Sequence, residues 1–145
     1  MKLKNVKGLK QFNLLGFPTS DWIIFGGSVL SAYNLRHTND LDIVVSSELY
    51  TICKDHPAFT EFDARYGKGL KLINSVVEVF DNILPLKLNF DEIMERSSKV
   101  MLENIKANMI SIHLLRKWKI ESARIKDFED IVLIDNFINI MKKRN

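Results

Sequence analysis

Between Phe25 and Val45 the chain reads FGGSVLSAYNLRHTNDLDIVV, with two aspartates inside what is otherwise a buried strand. Strand side chains alternate between faces, so Asp40 and Asp42 point one way while Leu41 and Ile43 point the other, into a core. The carboxylates are therefore neighbours, about 7 Å apart at the backbone, and their repulsion calls for water, cationic side chains or a metal. Carboxylate oxygens suit Mg²⁺, which keeps several waters and shares its other positions with substrate phosphates. Taken alone, the pair also fits a turn aspartate followed by a second aspartate on an exposed edge.

The residues upstream narrow the choice. Trp22–Phe25 (WIIF) is a short apolar run stopped by Gly26 and Gly27, as expected of a buried strand that turns sharply. Ser28 then fits the N-cap of a helix carrying Val29, Leu30, Ala32, Tyr33 and Leu35. Glycines let a backbone approach a ligand, and a helix start offers unpaired N–H groups, so the same turn fits either a simple cap or a phosphate cradle. Cradle and acidic pair fall on consecutive strands joined by one helix, where both can face one nucleotide. Further on, Glu78 interrupts the apolar run SVVEVFD; it shares a face with Val76 and Phe80 while Val77 and Val79 face away. Beside the DLDIVV strand, Glu78 would make a third carboxylate; on a half-exposed strand it would be ordinary. Asp81 is a weaker substitute, on the other face near the strand's end.

The rest of the pattern predicts one α+β domain, sheet first and helices closing over it. A helix is expected from Ser47 to about Asp55, two strands around a glycine turn at Gly67 and Gly69, a short helix in FDEIMERS, and an undecided strand or loop in VMLENIKA. SIHLLRKWKIES and KDFEDIVLIDNFINIMKK carry apolar residues at helical spacing. This gives a sheet core at about 20–90 and a mainly helical segment at about 91–145. The 145 residues are 46% hydrophobic, enough for a core. With no membrane-length apolar run and no signal-peptide core, a soluble, cytoplasmic protein that does not meet a membrane is expected. Cys53 is the single cysteine, which rules out an internal disulfide and fits packing in a reducing compartment. The formal charge of +3 is concentrated in four lysines among the first twenty residues and in MKKRN at the other end. Solvated ends and a polyanion-binding surface both fit.

These motifs resemble the nucleotidyltransferase superfamily with the polymerase-beta-like minimal fold. Gly26, Gly27 and Ser28 stand where members carry a G-[GS]-S helix start. Asp40 and Asp42 match their D-x-D pair, LRHTNDLDI matches the R-x-T-x-D-[IL]-D lead-in through Arg36 and Thr38, and Glu78 matches a later third carboxylate. KIESARIKDFEDIVLI, which places Lys119, Arg124, Lys126, Asp127 and Asp130, is similar to the helical segment of antibiotic nucleotidyltransferases and of toxin or antitoxin relatives. The likeness runs from about Trp22 to Phe137.

The resemblance implies a mixed sheet flanked by helices, with an NTP and Mg²⁺ or Mn²⁺ at the site. Asp40, Asp42 and Glu78 would hold metal, and Gly26, Gly27, Ser28, Arg36, Thr38, Lys119 and Lys126 would meet the nucleotide. On one continuous helix Lys119 and Lys126 would share a face; a break near Glu121 and Ser122 would spoil that. The implied reaction moves an NMP to a hydroxyl on RNA, protein or a small molecule and expels pyrophosphate. A homodimer mate or partner would help hold the acceptor, because relatives that modify antibiotics usually carry an additional domain. The alternatives are an inactive NTP-binding or regulatory protein of the same fold, including one from a toxin–antitoxin system, and an unrelated α+β interaction domain. No G-x-x-x-x-G-K-[ST], no G-x-S-x-G and no histidine metal spacing is present, and His37 fits an exposed loop. Trp22, Phe25, Tyr33 and Trp118 fit core positions better than a base-stacking platform.

Overall fold

The computed structural model describes residues 2–144 and shows an α+β architecture built on one seven-stranded mixed sheet. In chain order the elements are α1 (Leu9–Asn13), β1 (Trp22–Phe25), α2 (Gly27–Ala32), β2 (Leu41–Val45), α3 (Ser47–Asp55), β3 (Phe59–Ala64), β4 (Gly67–Leu72), β5 (Val77–Phe80), α4 (Phe90–Glu95), β6 (Ser97–Leu102), β7 (Ile105–Ile110), α5 (Ile112–Ser122) and α6 (Ile125–Arg144). The strand order is β3-β4-β5-β2-β1-β7-β6. β2 runs antiparallel to β1 and parallel to β5, and β7 runs parallel to β1. The two strands that carry the acids are therefore adjacent inside the sheet, each with a neighbour on both sides, which fixes the side-chain register.

That register sorts the two faces. Leu41 and Ile43 lie opposite Val77 and Val79, and all four are fully buried. Each contributes about 1.5–3 kcal/mol of burial, which holds β2 and β5 in one alignment. Trp22 shares this face through its pairing with Val45 and meets Phe12 of α1 edge to face, ring centres 5.1 Å apart. On the other face Phe25 is opposite Asp42, and its ring meets that of Trp118 from α5 at 5.7 Å. α5 thus covers the face to which the acids belong.

Local signals explain three of the helix starts. Ser46 and Ser111 accept the N–H groups of Leu49 and Leu114 at 3.2 and 3.1 Å, and Asn89 forms a reciprocal capping box with Glu92. Two expectations need correction, and one element was not anticipated. The stretch from Val100 to Ala107 is a hairpin, and β7 extends the sheet beyond β1, so the sheet does not end near residue 90. Gly67 and Gly69 lie within β4, and the hairpin turns at Arg65 and Tyr66. The lysine-rich start contains α1, whose Leu9 and Phe12 are buried in the hydrophobic core while the lysines stay exposed. No helix among the described residues is long and apolar enough to cross a membrane.

Candidate active site

A cleft of about 440 Å³ opens on the α5 face of the sheet. Its floor holds Phe25, Asp42, Glu78 and Phe80; one side is the loop Arg36–Asp40, another the β3–β4 turn, and the third the α5–α6 junction. Asp42 and Glu78 lie directly opposite each other across β2 and β5, close enough for their carboxyls to share a hydrogen bond. Burial, then the charges of Glu78 and Asp40, push the Asp42 carboxyl up to about 7. Glu78 is also raised, by burial and then by Asp40, against the opposing pull of the hydrogen bond from Asp42 and, less, of Lys71, its cross-strand neighbour on β4. Asp40 stands one residue before β2 and is exposed, not a strand residue as its spacing suggested. Its carbonyl is taken instead by the Ser28 hydroxyl, which donates at 2.9 Å.

That bond also revises the role of Ser28. Gly26 is the N-cap residue of α2 and no side chain caps it; Ser28 is buried and ties the turn to Asp40. At six residues α2 is under two turns, so its dipole is small. The glycines have steric reasons. Gly26 adopts φ 71°, ψ −156°, a conformation that side-chain-bearing residues rarely enter, and a Cβ there would sit 2.6 Å from Asp42 Oδ2. A Cβ on Gly27 would meet the Arg36 guanidinium at 2.8 Å and the Thr38 methyl at 3.1 Å. The cradle is consequently a bare backbone turn with a guanidinium close over it.

Arg36 owes its position to α6. Its Nε and Nη2 donate to the two oxygens of Asp130 at 2.7 and 2.9 Å. Lys119 is buried on α5, with its ammonium 2.7 Å from Asp130 and 3.2 Å from Asp127. Arg124 completes the network by donating Nε to Asp127 at 2.9 Å. Burial alone would raise both aspartates; hydrogen bonds from Arg36 and Lys119 to Asp130, and from Arg124 and Lys119 to Asp127, hold both below the usual carboxylate range. α5 ends at Ala123 in the left-handed region, so Lys119 and Lys126 lie on different helices and share no helical face. Lys119 joins α5 to α6 through these two carboxylates and also lines the cleft. Among the cations lining the cleft, Lys126 alone has no carboxylate or hydroxyl partner within the described residues.

Thr38 lines the cleft; His37 does so from an exposed loop, with its Nε2 within 3.2 Å of the Asn39 side-chain oxygen. Phe25 and Trp118 are core residues that also form cleft wall. Asp81 stays out of the acidic group, exposed and hydrogen-bonded by Asn82. Sequence reasoning missed Arg65, Tyr66 and Lys71. Arg65 donates to the hydroxyl and carbonyl of Ser122 at 2.9 and 3.0 Å, bringing the β3–β4 hairpin to the end of α5. Nothing local marks that long-range contact; Lys71 was legible only through the strand register.

The all-oxygen donor set suits a hard divalent cation, and like-charge crowding around Asp42 is what such a cation would relieve. Among the described residues no three His, Cys, Asp or Glu side chains form a preassembled metal cage. The pair Asp42–Glu78 is the core of the set, and Mg²⁺ commonly binds through one or two carboxylates plus phosphate and water.

The chain matches a crystal structure described as an antigenic nucleotidyltransferase-like protein from Paracoccidioides brasiliensis. The TM-score is 0.51 at 21% identity, over 86% of this chain and 70% of that one. The fold is nucleotidyltransferase-like. No family model matches the sequence, and no curated protein matches it.

Proposed function

We propose that the protein is a metal-dependent nucleotidyltransferase that transfers an NMP from an NTP to a hydroxyl acceptor. The observation that carries this is the side-by-side placement of Asp42 and Glu78, beside a glycine turn too crowded for side chains and covered by Arg36. Asp42 and Glu78, with Asp40, would hold Mg²⁺ or Mn²⁺, which when bound supplies charge neutralisation and acidifies a nearby hydroxyl. The Gly26–Gly27 backbone and Arg36 bind the triphosphate oxygens, and Lys126 adds a cation at the rim. Thr38 and the aromatic wall of Phe25, Phe80 and Trp118 orient the nucleotide and keep water from the reacting phosphorus. The acceptor oxygen bonds to the α-phosphorus as the bond to the bridging oxygen breaks. Pyrophosphate leaves, and the hydroxyl proton passes to Glu78. Such chemistry needs positioning and electrostatics more than a covalent relay.

The alternative of the same fold is a protein that binds NTP without turnover. Pyrophosphate release from each NTP, with Mg²⁺ or Mn²⁺ and a cell extract as the source of acceptor, separates the two. Release by the wild type that disappears in a folded Asp42→Asn variant supports transfer. NTP binding with no release supports the alternative, and release that persists in Asp42→Asn refutes the proposed mechanism.

A further inference from the structure

α6 uses one side to hold the site and leaves the other without a partner. Asp127, Asp130 and Ile134 are buried, while Ile125, Phe128, Val132 and Ile140 are 84%, 56%, 59% and 51% exposed. At 100° per residue, Ile125, Glu129, Val132, Asn136, Ile140 and Lys143 fall within about 80° of one another. Phe128 flanks this stripe, and Glu129, Asn136 and Lys143 are exposed. The spacing of fours and threes along α6 is that of a helix seam meeting another helix.

We infer that this face pairs with the same face of a second copy, the two α6 helices antiparallel about a two-fold axis through Asn136. The sequence is self-complementary in that register and no other copy orientation is needed. Val132 meets Ile140 of the other copy, Glu129 meets Lys143, and Phe128 lies beside Arg144. Among the described residues neither Glu129 nor Lys143 has an ion-pair partner within the chain, so both charges are available. Asn136 meets its own copy at the axis, between the Val132–Ile140 contacts on either side, where a polar residue fixes register. A parallel arrangement would set Glu129 against Glu129 and Lys143 against Lys143. The paired seam is mixed and only about 21 Å long from Glu129 to Lys143, with Ile125 beyond the overlap, so the dimer is expected to be of roughly micromolar strength and to dissociate on dilution. This inference stands independently of whether the cleft turns over an NTP.

The test is analytical ultracentrifugation over a concentration series, with circular dichroism confirming that each variant is folded. The wild type is expected to shift from monomer to dimer. Glu129→Lys and Lys143→Glu should each raise the dissociation constant at least about tenfold, and the double variant Glu129→Lys/Lys143→Glu should recover dimerisation. Asn136→Cys, oxidised, should give a covalent dimer, because helices packed about 8–10 Å apart can bring two such residues into disulfide reach only at the axis. Cys53 is buried and does not compete. A wild type that stays monomeric at every concentration overturns the proposal. So does a dimer that ignores both charge reversals and fails to cross-link at Asn136, which would place the interface elsewhere or identify a different occupant of α6.

Discussion

Replacing Asp42 with asparagine should make the protein more stable, and the gain should depend on pH. The amide keeps the shape and still donates to Glu78, but it removes one of the crowded negative charges. A carboxyl held at about 7 in the fold against its ordinary 3.8 carries about 4 kcal/mol of ionisation cost once both states are deprotonated. Between roughly pH 4 and 7 the folded chain keeps a proton that the unfolded chain has lost. Wild-type stability therefore falls as pH rises through that window, while below it there is no penalty and the two proteins converge. Because Asp42 and Glu78 share the proton, part of the cost moves to Glu78 in the variant, and a gain of about 2–4 kcal/mol above pH 7 is expected. Urea denaturation at several pH values measures it directly. Mg²⁺ should narrow the difference by stabilising the wild type alone. A variant less stable than wild type at pH 8, or a difference independent of pH, would refute the electrostatic account of the acidic pair.

Gly26→Ala must place its methyl against Asp42 Oδ2 in a backbone region alanine avoids, so a loss of at least about 2 kcal/mol in denaturation midpoint measurements is expected. Asp130→Ala leaves Arg36 and the buried Lys119 short of a partner and should cost about 3–5 kcal/mol in urea unfolding. Lys126→Ala, at an exposed rim position, should leave the melting temperature unchanged while weakening NTP binding by roughly tenfold in calorimetry.

Legibility in the sequence tracked the range of the interactions involved. β1, α3 and α4 were readable because an apolar run stopped by glycines, a serine cap and a capping box are all local. Glu78 could be assigned a face because Val77 and Val79 on either side fix the alternation. The β6–β7 hairpin was not readable: β6 is exposed along much of its length and its Ser-Lys-rich sequence has little β signal. The site divided in the same way. The turn at Gly26 and Gly27 and the inward-facing Asp42 follow from a short segment, whereas Asp40 falls outside β2, and the fates of Ser28 and Lys119 depend on a partner 12 residues away for one and on a second helix for the other. A lysine beside a nucleotide motif suggests phosphate binding, but only the tertiary structure shows that Asp127 and Asp130 already enclose it. The turn at Arg65 and Tyr66 and the role of Lys71 arise from strand pairing, which residue spacing does not encode.

The central claim, that Asp42 and Glu78 serve transfer of a nucleotidyl group, is tested most directly by following the fate of phosphate label. Wild-type protein is incubated with Mg²⁺, acceptor extract and an NTP labelled at either the α or the γ phosphorus. The α label should become attached to acceptor and the γ label should appear in pyrophosphate, with both signals lost at least about a hundredfold in Asp42→Asn and Glu78→Gln. Transfer of the γ label to acceptor, or α transfer unchanged in both variants, would contradict the account.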